Sequence, residues 1–353
     1  MRLVLVLNLG STTSKFALYQ ERECVVNETV AHELAVTQLP LTEQAPKRQA
    51  TIERRVQEAG FQFEDVDAIA CRGGLVKPIE GGVYHVDAHL YDELKAFNYG
   101  IHASNLSGMM GYQLAQKFNI PVFTIDPPVT DELTPIARIT GIKGIERISR
   151  FHALNQKGVA RKYAAQVGKD YRDVNVIVAH MGGGITVGAH VHGKVIDVNE
   201  GLEGEGAFSP ERAGSIPNDA LYRYGYDHDM TPEEMDHFLS KKTGLLSLLD
   251  TNDLTQLSQQ YGEDTEVTRI LDAMAYQVAK LIGERAVAFK GAPINQIILT
   301  GGIANSDIIT EGIRQYVEWI APVSVYAGEM EMEALASGVF DVLEGTVEPK
   351  YYK

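Results

Sequence analysis

The sequence has few cysteines, one tryptophan and no long apolar run. Only Cys24 and Cys71 occur among its 353 residues, which is too few for a disulfide framework and suits a reducing compartment. No window approaches the roughly 20 apolar residues of a membrane-spanning helix. The apolar run Leu3–Leu7 is too short for the hydrophobic region of a signal peptide. We therefore expect a cytoplasmic protein with no membrane segment.

Positive charge is also scarce. The 32 Lys and Arg residues are outnumbered by 47 Asp and Glu, and the formal net charge is −15. Such a charge disfavours nucleic acid and anionic membranes as partners, so we expect neither. A site for an anionic substrate must then gather its own cations. The length itself suggests two domains.

Turns rich in glycine and hydroxyl residues follow apolar runs at three places, Leu3–Ser14, Val176–Gly184 and Ile297–Gly302. A buried strand that ends in such a turn offers backbone N–H groups, and glycine allows close approach, so each turn can hold a phosphate. None has the G-x-x-x-x-G-K-[ST] or G-x-G-x-x-G pattern that opens a helix. Three such turns indicate a nucleotide whose phosphates are held from two sides.

The first two turns share one pattern, in which a strand, the turn, a second strand, a tight turn and a third strand follow one another. Asn8 and His180 occupy equivalent places in it. We interpret this as an internal duplication of a β-meander. Helices and strands alternate after each copy, which predicts two α/β domains that face a cleft, with a boundary near Arg147–Arg150.

Apolar spacing and capping residues predict the helices. They are expected over residues 41–60, 87–98, 105–118, 151–167, 266–289, 306–320 and 331–343, with a further helix that Thr231 and Pro232 open. The third turn is the only one of the three that is expected to lead into a helix, at Asn305 or Ser306.

Several motifs resemble a known family. Asn8-x-Gly-Ser-x-x-Ser-Lys15 is similar to the first phosphate loop of the acetate and sugar kinase, Hsc70 and actin superfamily. Arg72-Gly-Gly, Phe151-His-Ala and His180-Met-Gly-Gly-Gly look like its acetokinase family. The stretches closest to the butyrate kinases of that family are His102–Asn105, Asp126–Glu132, Pro210–Pro217 and Gly328–Glu331.

The resemblance implies an α/β fold of two duplicated actin-like ATPase domains, with mixed sheets and flanking helices around a central nucleotide cleft. Residues 1–149 and a C-terminal helix at about 333–353 would form one domain, and residues 150–332 the other. The implied reaction is reversible, in-line phosphoryl transfer from ATP to butanoate, which gives butanoyl phosphate and ADP and uses Mg²⁺. Acetate, propionate, a branched acid or an aromatic acid is the alternative acceptor. Relatives associate, so a homodimer or larger homo-oligomer is expected.

Arg72 and Arg212 are the candidate cations of the site. Each lies in a turn that contains glycine, and a guanidinium can hold a carboxylate or phosphate through two parallel hydrogen bonds. His152 and His180 are candidate donors to the γ-phosphoryl oxygens. Neither needs to act as a general base, because a carboxylate has no proton to lose at neutral pH.

The resemblance implies a magnesium site at Asn8, Asp126 and Glu331, and Asp126 also counts among the catalytic candidates. Magnesium prefers oxygen ligands and binds through one or two carboxylates together with phosphates. Glu329 and Glu333 flank Glu331, so the sequence leaves open which of the three glutamates serves the metal.

The remaining candidates would contact the nucleotide or the acid. Nucleotide contacts are expected from Asn8, Gly10, Ser11, Thr12, Ser14, Lys15, Gly182, Gly183, Gly184, Gly301, Gly302 and Asn305. The acid pocket is expected at Gly74, Ile101 and Phe151. Acetate kinases, as we align them, carry Val at the position of Gly74, so the missing side chain is expected to leave space for a longer acid.

Two other functions fit the same superfamily. A kinase that acts on a hydroxyl group needs a carboxylate base, for which Asp126 would serve, but a neutral sugar does not require the two arginines. A nucleotide-driven clamp or filament protein needs a peptide-binding domain or long polymer-contact insertions, and we expect no room for the former, because the sequence ends at Lys353, just past its last expected helix.

Overall fold

The structure is a computed structural model that describes residues 1–202 and 204–353. The chain forms two compact units. Unit 1 contains Met1–Thr130 and Met330–Lys353, and unit 2 contains Asp131–Glu329. The last helix of the chain thus belongs to the unit that contains the first strand. The compact units divide at Thr130, earlier than the position near 149 that the sequence suggested.

Two sheets are present in the described residues. Unit 1 contains β1 (Leu3–Leu9), β2 (Thr13–Gln20), β3 (Glu23–Ala31), β4 (Ala68–Cys71), β5 (Val83–His85) and β6 (Val122–Ile125). Unit 2 contains β7 (Val176–Met181), β8 (Ile185–Val191), β9 (Lys194–Val198), β10 (Gln296–Gly301) and β11 (Val323–Ala327).

The helices lie between and after these strands. They are α1 (Leu34–Thr37), α2 (Leu41–Glu58), α3 (Ala88–Ala96), α4 (Asn105–Phe118), α5 (Pro135–Arg138), α6 (Ala153–Gln166), α7 (Asn218–Asp227), α8 (Pro232–Lys241), α9 (Leu245–Leu249), α10 (Leu254–Gln260), α11 (Thr265–Ala286), α12 (Asp307–Val317) and α13 (Glu331–Leu343). Among the described residues, no helix is both long and apolar enough to cross a bilayer.

The two sheets have the same topology. Their orders are β3-β2-β1-β4-β6-β5 and β9-β8-β7-β10-β11. In each, an antiparallel meander of three strands is followed by two strands parallel to the first one. Strand β5 is an addition to the first sheet. The predicted α/β fold with duplicated, mixed sheets is therefore confirmed.

Strand register confirms the equivalence of Asn8 and His180. Asn8 pairs with Lys15 near the end of β1, and His180 pairs with Thr186 near the end of β7. Each meander also has one irregularity, at Leu18/Tyr19 in the first and at Ala189/His190 in the second. These lie the same number of residues after Lys15 and Thr186, so the second strands of the two meanders have their irregularity at equivalent positions.

Most predicted helices are present, with small shifts at their ends. Helices α4 and α13 have the predicted bounds. Helix α8 begins with a capping box, in which the Thr231 side chain accepts from the Glu234 N–H and the Glu234 side chain accepts from the Thr231 N–H. The sequence did not predict β5, β11 or the helices α1, α5, α7, α9 and α10.

Strand β1 is buried along its whole length, as expected for a strand with both faces covered. Leu3, Leu5, Leu7 and Leu9 pack in a core with residues of α2 and α4, and α13 packs against the same sheet. The chain returns for α13 only after unit 2 has been completed. That return places the first turn of α13 at the end of β1.

Residues 131–150 are tied to unit 2 by charged side chains. The buried Glu132 carboxylate lies 2.8 Å from the buried Lys157 ammonium, and Arg147 pairs with Asp197 at 2.9 Å and with Glu205 at 2.6 Å. A buried ion pair holds its partners together because separating them leaves an uncompensated charge. These contacts explain why unit 2 begins near Asp131.

Candidate functional site

Three of the candidate residues meet in unit 1. The Asn8 Nδ2 donates to a Glu331 carboxylate oxygen at 2.7 Å, the Arg72 guanidinium lies 3.1 Å from the other oxygen, and Arg72 also donates to Asn8 Oδ1 at 3.4 Å. The Glu331 side chain is 8% exposed and that of Arg72 is 30% exposed. A carboxylate, an amide and a partly exposed guanidinium are thus fixed to one another.

The sheet and α13 position this group. Asn8 lies near the end of β1, Arg72 directly follows β4, and Asp126 directly follows β6. These three strands are parallel neighbours, so the three residues lie at one edge of the sheet. Glu331 is the first residue of α13. Of the three glutamates that the sequence left open, Glu331 is buried beside Asn8, whereas Glu329 and Glu333 are exposed.

Asp126 has an unusual backbone. Its φ angle is 39°, in a region that residues other than glycine rarely adopt. The side chain is 1% exposed, and its carboxylate accepts from the Gly82 N–H at 2.8 Å. Strained backbone of this kind occurs at functional sites, where the surrounding structure holds it in place. The geometry thus marks Asp126 as a fixed carboxylate at the same sheet edge.

The donor set at this edge suits magnesium. Two carboxylates and a carboxamide oxygen are hard oxygen ligands, and Mg²⁺ needs only one or two carboxylates when phosphates and water complete its shell. In the described residues no group of three or more His, Cys, Asp or Glu side chains is arranged around a metal position. The oxygen atoms of Asn8, Asp126 and Glu331 are of the kind that a phosphate-bound magnesium takes from a protein.

The first phosphate turn is closed by its own backbone and supported from below. Gly10 N–H donates to Thr13 O at 2.9 Å. The fully buried Arg48 of α2 donates to Gly10 O at 2.8 Å and to Ser11 O at 2.6 Å. Burial lowers the pKa of this guanidinium. The N–H of Gly10 is therefore used by the turn, while Ser11 and Thr12 form its exposed tip.

The two hydroxyl and ammonium candidates after this tip differ. Ser14 is buried, and its hydroxyl lies 2.8 Å from His32 Nε2, which points to a role in holding strands β2 and β3. Burial also lowers the pKa of His32. Lys15 is exposed at the start of β2, so its ammonium can reach solvent-accessible phosphates.

The second turn, in unit 2, is also closed by a hydrogen bond of its own backbone. Gly182 N–H donates to Gly184 O at 3.0 Å, as Gly10 donates within the first turn. The Ser209 hydroxyl donates to Gly183 O at 2.7 Å. A Cβ atom on Gly184 would lie 2.7 Å from Gly201 O and would overlap the Arg212 guanidinium. Glycine at 184 therefore makes room for Arg212.

Arg212 is held against the second turn. Its guanidinium donates to Gly201 O, its backbone N–H donates to the Ser209 hydroxyl at 3.2 Å, and its Nε is a buried atom without a hydrogen-bond partner in the described residues. Burial lowers the pKa of Arg212, and Glu200 and Glu211 partly oppose that shift. A buried cation with unused hydrogen-bond capacity is suited to an anionic ligand.

His152 and His180 stack face to face, with ring centroids 3.8 Å apart and an angle of 14° between the ring planes. His180 is buried near the end of β7, and His152 precedes α6. His152 Nδ1 lies 2.9 Å from the Thr186 hydroxyl, and His180 Nδ1 lies 2.8 Å from the Asn155 amide nitrogen. Both rings are thus fixed through the same nitrogen.

The third turn follows β10 and leads into a helix, as predicted. Gly301 has φ +89°, and a Cβ there would lie 2.3 Å from Met181 O, so only glycine lets β10 approach β7 this closely. Gly302 and Asn305 are exposed, and Asn305 Nδ2 donates to Gly302 O at 2.9 Å. The three turns therefore lie at strand ends, two of them in unit 2.

Comparison with known proteins agrees with this arrangement. The sequence model of the acetokinase family matches residues 137–323, just over half of the chain. The chain belongs to the acetokinase family. Members of this family are kinases that phosphorylate carboxylates.

Solved structures share the fold across almost the whole chain. Acetate kinase from Porphyromonas gingivalis superimposes with a TM-score of 0.79 at 16% identity, covering 97% of this chain and 100% of that one. A propionate kinase from Francisella tularensis gives 0.74 at 20% identity, covering 96% and 99%. Acetate kinase from Entamoeba histolytica gives 0.77 at 14% identity, covering 97% and 100%. At these identities the likeness concerns the fold.

The three residues expected to form the acid pocket have different environments. Ile101 is 74% exposed. Phe151 is buried in unit 2, where it packs with Leu133, Val195 and Val198. A Cβ atom on Gly74 would lie 2.6 Å from Asn105 Cα and 2.7 Å from a Leu94 methyl group. The prediction of empty space beside Gly74 is therefore wrong, because α4 fills it.

Sequence reasoning missed four residues that hold the candidate side chains, namely Arg48, Asn155, Gln156 and Thr186. Asn155 and Gln156 follow His152 by three and four residues, which places them on the same face of a helix that begins there. That spacing was a usable signal. Arg48 had none, because it reads as one of several charged residues on an amphipathic helix.

We expect Gly74→Val to destabilise unit 1 by at least about 2 kcal/mol, since any side chain at 74 must displace the backbone of α4. Activity with acetate and with butanoate should fall by the same factor. Chemical denaturation together with kcat/KM for both acids measures this. A selective loss of activity with butanoate, at unchanged stability, would instead support the hypothesis that Gly74 borders the acid pocket.

We expect Arg48→Met to weaken ATP binding and to destabilise unit 1 by about 2–4 kcal/mol, because the carbonyls of Gly10 and Ser11 lose a charged donor. The matched control is Arg55→Met on the same helix, which removes only an exposed pair with Glu58 and should change stability by less than about 1 kcal/mol. Equal effects of the two variants, in denaturation and in KM for ATP, would contradict this role for Arg48.

Proposed function

We propose that this protein transfers the γ-phosphoryl group of ATP reversibly to the carboxylate of a short-chain fatty acid, with butanoate preferred. The observation that carries the proposal is the pair of fixed arginines. Arg72 is held by Asn8 and Glu331, and Arg212 is held against the glycine turn at 182–184. Although the net charge of the chain is −15, Arg72 lies beside Asn8, just before the first turn, and Arg212 lies against the second turn.

The two arginines supply the positive charge that the approach of a carboxylate to ATP requires. A carboxylate is a weak nucleophile and ATP is a polyanion, so their approach must be stabilised by fixed positive charge. Arg72 binds the carboxylate of the acid, because its partly exposed guanidinium has N–H donors beyond those used for Asn8 and Glu331. Arg212 neutralises negative charge on the transferring phosphoryl group. His152 and His180 add neutral N–H donors to the phosphoryl oxygens.

The turns and the carboxylates bind the rest of the nucleotide. Within unit 1, Ser11, Thr12 and Lys15 are the proposed phosphate contacts, and within unit 2 they are the glycines of the second and third turns. Asn8, Asp126 and Glu331 are the residues that would hold magnesium, and the bound ion would neutralise phosphate charge. Ser14 has a structural partner in His32, so its contribution to phosphate binding is indirect.

Butanoate is proposed from the sequence motifs. His102–Asn105 and Asp126–Glu132 match the butyrate kinases, and His102 lies close enough to Arg72 to be affected by its charge. Burial lowers the pKa of His102, and the positive charge of Arg72 lowers it further.

The reaction is tested by trapping acyl phosphate as hydroxamate, with ATP, Mg²⁺ and one acid at a time. We expect ATP consumption to require the acid, and kcat/KM for butanoate to exceed that for acetate, as the motifs that resemble the butyrate kinases lead us to expect. Equal ATP consumption with and without acid would sink the proposal, and a preference for acetate would replace butanoate as the substrate.

The arginine variants are the internal control for this assay. Arg72→Ala and Arg212→Ala should each lower turnover by about two decades or more, as expected when a charge that stabilises the transition state is removed. Circular dichroism should show both variants folded. A variant with turnover near that of the wild type would remove its arginine from the site.

A further inference from the structure

A hydrogen-bond chain with a fixed direction ends at His180. The Thr300 hydroxyl donates to the Gly328 carbonyl at 3.2 Å, and a carbonyl can only accept. The Thr300 oxygen therefore accepts the contact from Asn155 at 3.2 Å, which identifies the Asn155 atom as the amide nitrogen. The other hydrogen of that nitrogen faces His180 Nδ1 at 2.8 Å. His180 Nδ1 must accept, so the ring proton lies on Nε2.

A second chain reaches His152 from the neighbouring residue of α6. Gln156 Nε2 donates to the Thr186 carbonyl at 3.0 Å and to the Thr186 hydroxyl oxygen at 2.8 Å. The carbonyl again fixes which end of the amide is nitrogen. The hydrogen of the Thr186 hydroxyl is not used by Gln156, and His152 Nδ1 lies 2.9 Å from the hydroxyl oxygen. We infer that His152 Nδ1 accepts this hydrogen, which places the proton of His152 on Nε2.

The far end of the second chain agrees with this direction. Gln156 Oε1 accepts from His190 Nε2 at 3.0 Å, and His190 Nδ1 accepts from the Tyr171 hydroxyl at 2.7 Å. This arrangement requires a neutral His190. Burial, with the charges of Lys157 and Arg161, lowers the pKa of His190 well below its usual value.

We propose that Asn155 and Gln156 are positioning residues that hold His180 and His152 as neutral imidazoles with the proton on Nε2. Both amides are completely buried, and each is fixed in direction by a backbone carbonyl. The inference rests on the proposed function in one respect, namely that the two Nε2–H groups serve as donors to the transferring phosphoryl group. It adds that neither ring is a cation or a base there.

The fixed tautomer has a chemical purpose in this reaction. The rings stack at 3.8 Å, so two imidazolium ions at these positions would repel each other. A proton on His180 Nδ1 would face the N–H of Asn155, and a proton on His152 Nδ1 would deprive the Thr186 hydroxyl hydrogen of this acceptor. Two neutral donors that need no reorientation can stabilise developing charge without binding the substrate carboxylate in competition with the arginines.

The test reads the tautomers directly, by long-range ¹H–¹⁵N correlation spectra of the protein labelled with ¹⁵N-histidine. In the wild type we expect both His152 and His180 to show a protonated Nε2 and an unprotonated Nδ1. Signals are assigned by loss of one set in each of His152→Gln and His180→Gln. Protonated Nδ1 atoms in the wild type would overturn the proposal.

The variant Asn155→Asp replaces the donor beside His180 by an acceptor of the same shape. We expect the proton of His180 to move to Nδ1 while His152 is unchanged, with kcat at least tenfold lower. Asn175→Asp makes the same chemical change in unit 2, where the amide contacts Pro293 O, and should leave both the spectrum and kcat unchanged. An Asn155→Asp enzyme with a shifted tautomer and full kcat would refute the positioning role.

Thr186→Val tests the second chain with an isosteric side chain. We expect His152 to lose its preference for Nε2–H while His180 retains it, and kcat to fall. An unchanged His152 spectrum would contradict the role of Gln156. The spectra require no turnover, so failure of the carboxylate kinase assay would remove the proposed function without deciding the tautomers.

Discussion

The contact between Arg72 and Glu331 is the interaction on which unit 1 and its chemistry depend. It joins the residue after β4 to the first residue of the last helix, at 3.1 Å, and Asn8 at the end of β1 bonds to both partners. Without Arg72, the buried carboxylate of Glu331 would lie at the sheet edge without a paired positive charge, which would destabilise the fold of unit 1. The same contact fixes the guanidinium that we propose binds the acid.

The second constraint on the site is the direction of its hydrogen bonds, which buried amides and backbone carbonyls set. Arg48 donates to the carbonyls of the first turn, and Gly328 O and Thr186 O orient Asn155 and Gln156. Because a carbonyl cannot donate, it fixes which end of each amide is the nitrogen. The histidines and the first phosphate turn are thus preorganised by backbone groups of neighbouring strands and turns.

The parts of the fold that follow local rules were predictable from the sequence. Alternating strands and glycine turns revealed the duplication, and the equivalence of Asn8 and His180 followed from it. Three-dimensional packing was not predictable. Gly74 looked like an empty pocket, although α4 occupies that space, and Arg48 looked like a surface charge. The periodicity of apolar residues predicts neither which side chains fill a given volume nor which atoms a long side chain reaches.

The central claim is that a carboxylate oxygen attacks the γ-phosphorus of ATP. The most direct measurement is ³¹P NMR of the products formed from ATP and butanoate labelled with ¹⁸O in its carboxylate. The account predicts butanoyl phosphate whose phosphorus signal is shifted by one bonded ¹⁸O, since the bridging oxygen comes from the acid. Formation of unlabelled inorganic phosphate alone, with no labelled acyl phosphate, would show that water is the acceptor and would contradict the account.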